Sequence, residues 1–171
     1  MQGLQEDQRK SLTRNLLSLW SSATPALWCT FSPLPDEADP RPAVDERPTY
    51  RWAYPRVDGD RLRFGVPTPQ ASWTRSSLGV LEPSSDQIQE VSIKEASGVL
   101  VPGLAFDRQG HRLGFGKGHY DRALKQYSGL KVGLAWSVQV SETELPRESH
   151  DVPLDVLVTE KEVLRLTRKE C

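Results

Sequence analysis

The sequence is poor in cysteine, has no long apolar run and carries no excess of charge of either sign. Its 171 residues include only Cys29 and Cys171. They lie far apart, so no disulfide framework is expected, and a reducing cytoplasm is the expected setting. Two cysteines and three histidines without ligand spacing argue against a structural zinc site. No stretch approaches the ~20 apolar residues of a membrane span. The polar, acidic start, Met1-Gln2-Gly3-Leu4-Gln5-Glu6-Asp7, does not read as a signal peptide. Lys plus Arg total 22 against 23 for Asp plus Glu, a balance that gives a nucleic-acid binder no electrostatic footprint, and no aromatic RNA-binding motif is present. There is no internal repeat and no low-complexity linker. The expectation is a single domain over residues 1–171, large enough to bury a core.

Proline is plentiful. The 13 prolines concentrate between Pro25 and Pro83, so the first half should have short elements and much loop. Before them, Leu12, Leu16, Leu19 and Trp20 recur at helical spacing and predict a helix over residues 5–21, ended by Pro25. Lys10 and Arg14 point away from that apolar face, as a solvated surface would. Strands are predicted over 26–31, 49–54 and 61–64, the last two flanking the turn signal Asp58-Gly59. A loop follows over 65–85. Gly98-Val99-Leu100-Val101 suits a central strand, with further strands at 131–135 and 155–159, and 160–166 closes as strand or helix. Strands interleaved with helices imply an α/β fold with a mostly parallel sheet, whose ligands sit beyond the carboxyl ends of strands.

The densest chemistry is in Gly110-His111-Arg112-Leu113-Gly114-Phe115-Gly116-Lys117-Gly118-His119-Tyr120-Asp121-Arg122. Glycine admits positive φ and close approach of a ligand to the main chain. Successive N–H groups in such a loop can form an anion-binding concavity. A helix predicted over 120–127 would turn its N-terminus to the same anion. Arg112 and Lys117 add positive charge, and Asp121 can hold a divalent cation. The run is neither a P-loop, because Gly118 follows Lys117, nor a dinucleotide fingerprint, because its spacing is G-x-G-x-G. On these features alone, a turn that binds nothing stays open.

With its surroundings the run resembles the 5-formyltetrahydrofolate cyclo-ligase (5,10-methenyltetrahydrofolate synthetase) family. The resemblance rests on Val101-Pro102-Gly103-Leu104-Ala105-Phe106-Asp107, Gly110, Arg112 to Gly118 and Tyr120-Asp121-Arg122. It continues through Val132-Gly133-Leu134-Ala135, Gln139, Leu145-Pro146, Glu148, His150-Asp151, Leu154-Asp155 and Val158-Thr159-Glu160. Upstream, Glu37, Trp73 and Glu82-Pro83 look like further family elements. The resemblance covers about residues 26–160.

It implies a three-layer α/β/α sandwich, Rossmann-like, with a shortened N-terminal helical region over about 1–25. The implied reaction is ATP- and Mg²⁺-dependent conversion of 5-formyltetrahydrofolate to 5,10-methenyltetrahydrofolate, in a cytoplasmic monomer with no nucleic-acid or membrane partner. By position, Arg112, Lys117 and Tyr120 would be catalytic. The nucleotide would be bound by Arg112, Leu113, Gly114, Phe115, Gly116, Lys117, Gly118, His119 and Tyr120. Ser32, Glu37, Trp73 and the stretch from Phe115 through Gly116, Lys117 and Gly118 to His119 would face folate. Asp121 and Asp151 would bind the metal. Lys10 and Arg14 have the family's Lys-x-x-x-Arg spacing and would then reach the ATP phosphates. The distance from Ser11 to the strand at Leu27 suits instead the family's second helix, which leaves them as surface charges. Asp121 as a first-turn helix carboxylate, Asp151 as a loop cap, Glu37 as a solvated loop residue and Trp73 as packing also stay open. At the level of function, a non-catalytic folate- or nucleotide-binding protein and an ATP-dependent enzyme for another small molecule remain alternatives. Departures from the family pattern are His119 for tyrosine, Phe115 for tyrosine or arginine, Gly98 for aspartate, and Asp39-Pro40-Arg41-Pro42 in place of a helix.

Overall fold

A computed structural model describes residues 2–20, 24–75 and 79–166. The first half of the chain contributes α1 (Gln2–Leu17), β1 (Leu27–Cys29), α2 (Arg41–Asp45), β2 (Arg51–Asp58), β3 (Arg61–Pro67), β4 (Trp73–Arg75), β5 (Leu81–Pro83) and β6 (Ile88–Val91). The second half contributes β7 (Gly98–Val101), β8 (Ala105–Asp107), β9 (Arg112–Leu113), α3 (His119–Leu124), β10 (Leu130–Leu134), β11 (Val140–Ser141), β12 (Val156–Val158) and β13 (Val163–Arg165). The main sheet has eight strands in the order β13-β12-β10-β7-β1-β2-β3-β6. Its central strands, β12, β10, β7, β1 and β2, are parallel, and antiparallel strands close both edges.

Burial explains the arrangement. β7 is buried at all four positions and β12 at all three, as continuous apolar runs in a doubly covered sheet should be. One face packs against α1 and α2 through Leu12, Leu16, Trp20, Trp28, Val44 and Trp52. The other packs against α3 and a three-stranded sheet, β11-β8-β9, through Val99, Val101, Phe106, Leu124 and Leu157. The result is the expected three-layer α/β sandwich. Among the described residues no helix is long and apolar enough to cross a membrane.

Several local readings differ from the structure. The first helix starts earlier than expected and ends at Leu17; position 21 of that reading lies outside the described residues. The stretch read as loop contains the ribbon β4–β5, with 76–78 outside the described residues. Asp39-Pro40-Arg41-Pro42 does not replace a helix but starts one, with Pro42 in its first turn, where a missing N–H does no harm. Gly98 has a steric reason. A Cβ there would lie 2.3 Å from the ring of Trp28, its partner on β1. Cys29 is buried and free, and burial pushes its thiol up to about 12; Cys171 lies outside the described residues.

Candidate active site

From β1 the chain runs outward through α2 to β2; from β7 it runs the other way, to β10 and β12. β1 and β7 are adjacent, so the order reverses between them, and the crevice beyond their carboxyl ends is where a ligand is expected in such a sheet. A cavity of ≈ 730 Å³ lies there. Ser32, Leu34 and Glu37 reach it after β1, Pro102 after β7, and the whole run from Arg112 to Asp121 forms one wall. Arg147, Glu148, His150 and Asp151 form another. The β2–β3 hairpin supplies an apolar side through Pro55, Val57 and Leu62. Val57 and Leu62 are direct cross-strand partners.

The glycines of the loop do different work. Gly116 and Gly118 have φ of +77° and +63°, the left-handed region that side chains resist. Gly118 thereby turns the chain into α3. Gly114 is small for another reason: a Cβ there would sit 2.7 Å from Arg112 Nη1. Among the described residues, no N–H from Gly114 to Gly118 donates to a protein acceptor, and all five residues line the cavity. The expected helix over 120–127 is only His119–Leu124. Its macrodipole is correspondingly short.

Arg112 is the better packed of the loop's two cations. Its side chain is 8% exposed and donates through Nη2 to Asp121 Oδ2 at 2.9 Å, while its Cζ lies 5.7 Å from the Tyr120 ring centroid. Its Nε and the Tyr120 hydroxyl are buried without a protein partner. Burial pushes the Tyr120 hydroxyl far above its ordinary value, against the opposing pull of Arg112. Asp121 Oδ1 accepts the N–H of Val152 at 3.3 Å, which brings Asp121 beside the Asp151 backbone. Asp151 Oδ2 accepts the N–H of Glu148 at 2.8 Å, so it caps its loop as well as lining the cavity. No three His, Cys, Asp or Glu among the described residues form a metal cage. Asp121 and Asp151 both line the cavity, and carboxylates are the protein ligands that Mg²⁺ takes alongside phosphate and water.

Glu37 is set into the turn after β1, where its Oε2 accepts the Leu34 N–H at 2.8 Å. Burial raises its carboxyl and that N–H opposes the rise. Glu37 also lines a second, more polar cavity of ≈ 830 Å³, which shares Ser32, Leu34 and Leu81 with the first.

The structure therefore brings Ser32, Glu37, Arg112 to Asp121 and Asp151 around one space. Three residues named from the sequence stand outside it. Trp73 is 42% exposed on the short β4 and makes an edge contact with Tyr54, ring centroids 4.9 Å apart; Glu82, which pairs with Thr74 across the ribbon, contributes to the wall instead. Lys10 is exposed and lies 3.6 Å from Glu6, and Arg14 is exposed. Helical phase explains both, because turning Leu12 and Leu16 into the core points positions 10 and 14 outward. Arg9, from the same helix, lines the second cavity. Sequence reading missed the hairpin wall and Arg147. Only the strand alternation of Pro55 and Val57 hinted at the former.

The sequence matches the 5-formyltetrahydrofolate cyclo-ligase family over residues 47–160. The chain belongs to that family. Among curated proteins it resembles the 5-formyltetrahydrofolate cyclo-ligase of Haemophilus influenzae, 39% identical over 101 residues, covering 57% of this chain and 52% of the relative. The Escherichia coli protein of the same name is 36% identical over 98 residues, covering 56% and 53%. The chain thus spans about half the length of these curated relatives. An NMR structure of Aquifex aeolicus 5,10-methenyltetrahydrofolate synthetase matches with a TM-score of 0.77 at 36% identity, covering 97% of this chain and 86% of that one. A Mycoplasma pneumoniae 5,10-methenyltetrahydrofolate synthetase shares the fold at a TM-score of 0.69 and 20% identity, over 90% and 85% of the two chains.

Proposed function

We propose that this protein converts 5-formyltetrahydrofolate to 5,10-methenyltetrahydrofolate at the expense of ATP, releasing ADP and phosphate. The observation that carries this reading is the shared cavity, whose lining joins a glycine loop without protein partners for its amides, two cations, Asp121 and Asp151 to an acceptor, Glu37. In the reaction the formyl oxygen attacks the γ-phosphorus of ATP and ADP departs. N10 then attacks the activated carbon, the ring closes and phosphate leaves. Such a transfer needs positioning and charge neutralisation more than a protein nucleophile.

Lys117 and the amides of Gly114 to Gly118 hold the phosphates. Arg112, locked by Asp121 and packed on Tyr120, keeps a fixed positive charge beside them. Asp121 and Asp151 would hold Mg²⁺, which when bound neutralises phosphate charge. Glu37 accepts hydrogen bonds from the donor edge of the pterin, with Ser32 and His119 alongside. The apolar hairpin face limits water near the transferring group.

The outward placement of Lys10 and Arg14 favours a second reading, a protein that binds these ligands without efficient turnover. One experiment separates the two. The protein is mixed with 5-formyltetrahydrofolate, ATP and Mg²⁺, and the near-ultraviolet absorbance of the methenyl product is followed together with ADP. Stoichiometric appearance of both supports catalysis; folate binding without either supports the second reading; ATP binding that depends on Lys117 without any folate binding points to a different small-molecule substrate.

A further inference from the structure

The turn between β8 and β9 holds a carboxylate that does more than close the turn. Asp107 is 0% exposed. Its Oδ1 accepts the N–H groups of Gln109 and His111, each at 2.9 Å. Its Oδ2 accepts the N–H of Leu145 at 2.9 Å and lies 2.9 Å from His111 Nδ1. Burial pushes this carboxyl up, but the Leu145 and His111 amides, the His111 ring and the Gln109 amide together hold it below its ordinary value. The amide bonds from Gln109 and His111 suffice for the turn. The Leu145 and imidazole contacts lead instead toward the segment whose Arg147, Glu148, His150 and Asp151 line the cavity.

The imidazole carries the link onward. His111 Nε2 lies 3.3 Å from Arg147 Nη1. A guanidinium only donates, so in this contact Nε2 accepts and the ring proton sits on Nδ1, facing Asp107. The charged groups around the ring are Asp107 from β8, with Glu144 and Arg147 from the facing segment. Glu144 Oε1 lies 3.8 Å from His111 Nδ1 and 3.7 Å from Arg147 Nε. The same turn holds the far end of the segment, because Gly110 O accepts the Leu154 N–H at 2.9 Å.

We infer that the Asp107–His111 pair is a positioning relay that sets Arg147, and with it the stretch carrying Asp151, against the phosphate side of the cavity. The inference rests on the proposed function for what occupies that cavity. His111 acts through Arg147 and touches no reactant.

Two measurements test it. The first needs no activity: nitrogen-15 NMR of the His111 ring is expected to show the neutral Nδ1–H tautomer near neutral pH, and an Nε2–H tautomer overturns the relay. The second is kinetic. His111→Asn keeps a donor for Asp107 but has no atom at the Nε2 position. Both His111→Asn and Arg147→Gln are expected to raise KM for ATP about tenfold with an unchanged thermal midpoint, and the double variant to be no worse than the poorer single one. Multiplying effects, or a His111→Asn variant with wild-type KM, overturn the relay. A wild-type protein that binds neither ATP nor 5-formyltetrahydrofolate sinks the proposed occupant, while the tautomer measurement still decides the relay.

Discussion

Two buried ion pairs sit at opposite ends of the sheet, and they are completed differently. Lys131 and Asp155 lie where β10 and β12 begin. Their Nζ–Oδ2 distance is 2.8 Å, with side chains 4% and 23% exposed. The same Oδ2 accepts the Lys131 N–H at 2.9 Å, Nζ lies 3.3 Å from Gly129 O, and the Tyr127 ring centroid is 6.0 Å from Nζ. Arg112 and Asp121 lie at the other end, equally close at 2.9 Å and similarly buried. There Arg112 Nε has no protein partner, and both residues face the cavity. One pair spends its bonding capacity on the protein; the other keeps some of it for what enters the cavity. A buried charge is expensive unless fully matched, so an unfinished match at the carboxyl ends of strands points to a ligand.

The comparison can be broken at either end. Lys131→Ala should lower unfolding free energy by about 3–5 kcal/mol, since it strands a buried carboxylate, and leave ATP and folate binding in the folded fraction unchanged; denaturant titration and calorimetry check this, and a loss below about 1 kcal/mol would place the pair among weak surface bridges. Asp121→Asn should reduce turnover by about 10²–10³-fold while shifting stability far less than Lys131→Ala; normal turnover would remove Asp121 from the site. Gly98→Ala tests the core away from both pairs. Forcing a methyl against Trp28 should cost about 1–3 kcal/mol, read from the urea midpoint, and a neutral result would mean that the indole moves freely.

The smallest effect concerns pH. Burial raises the Glu37 carboxyl, so the folded chain holds that proton to higher pH than the unfolded chain. Stability from this group is present below the ordinary carboxylate value and falls as pH rises through the raised one. Glu37→Gln should therefore be slightly more stable than wild type at neutral pH, equal to it in acid, and impaired in folate binding. A variant less stable at neutral pH would contradict the burial argument.

Much of this was legible in the residues. Gly98 to Val101 reads as a buried parallel strand because four consecutive apolar or small residues leave no polar face. The run from Arg112 to Asp121 marks a candidate anion loop by its glycines and two cations, and the resemblance to a family motif is what separated it from an ordinary turn. Other features were hidden. Whether Lys10 or Arg9 faces a cavity depends on helical phase, and the apolar positions of α1 fix that phase only once the sheet it packs on is known. Trp73 could be assigned to wall or to packing until Tyr54 was seen beside it. Arg147 carries no local signal, since its position comes from a buried aspartate 40 residues earlier in the chain.

The sequence alone determined the class of fold, through the spacing of apolar residues, and the family, through the motif it resembles, and it marked the glycine loop as a candidate anion site, because these are written in local order along the chain. Only the tertiary structure decided which charges are finished by the protein and which are left open, since that depends on groups distant in sequence meeting at one end of a sheet.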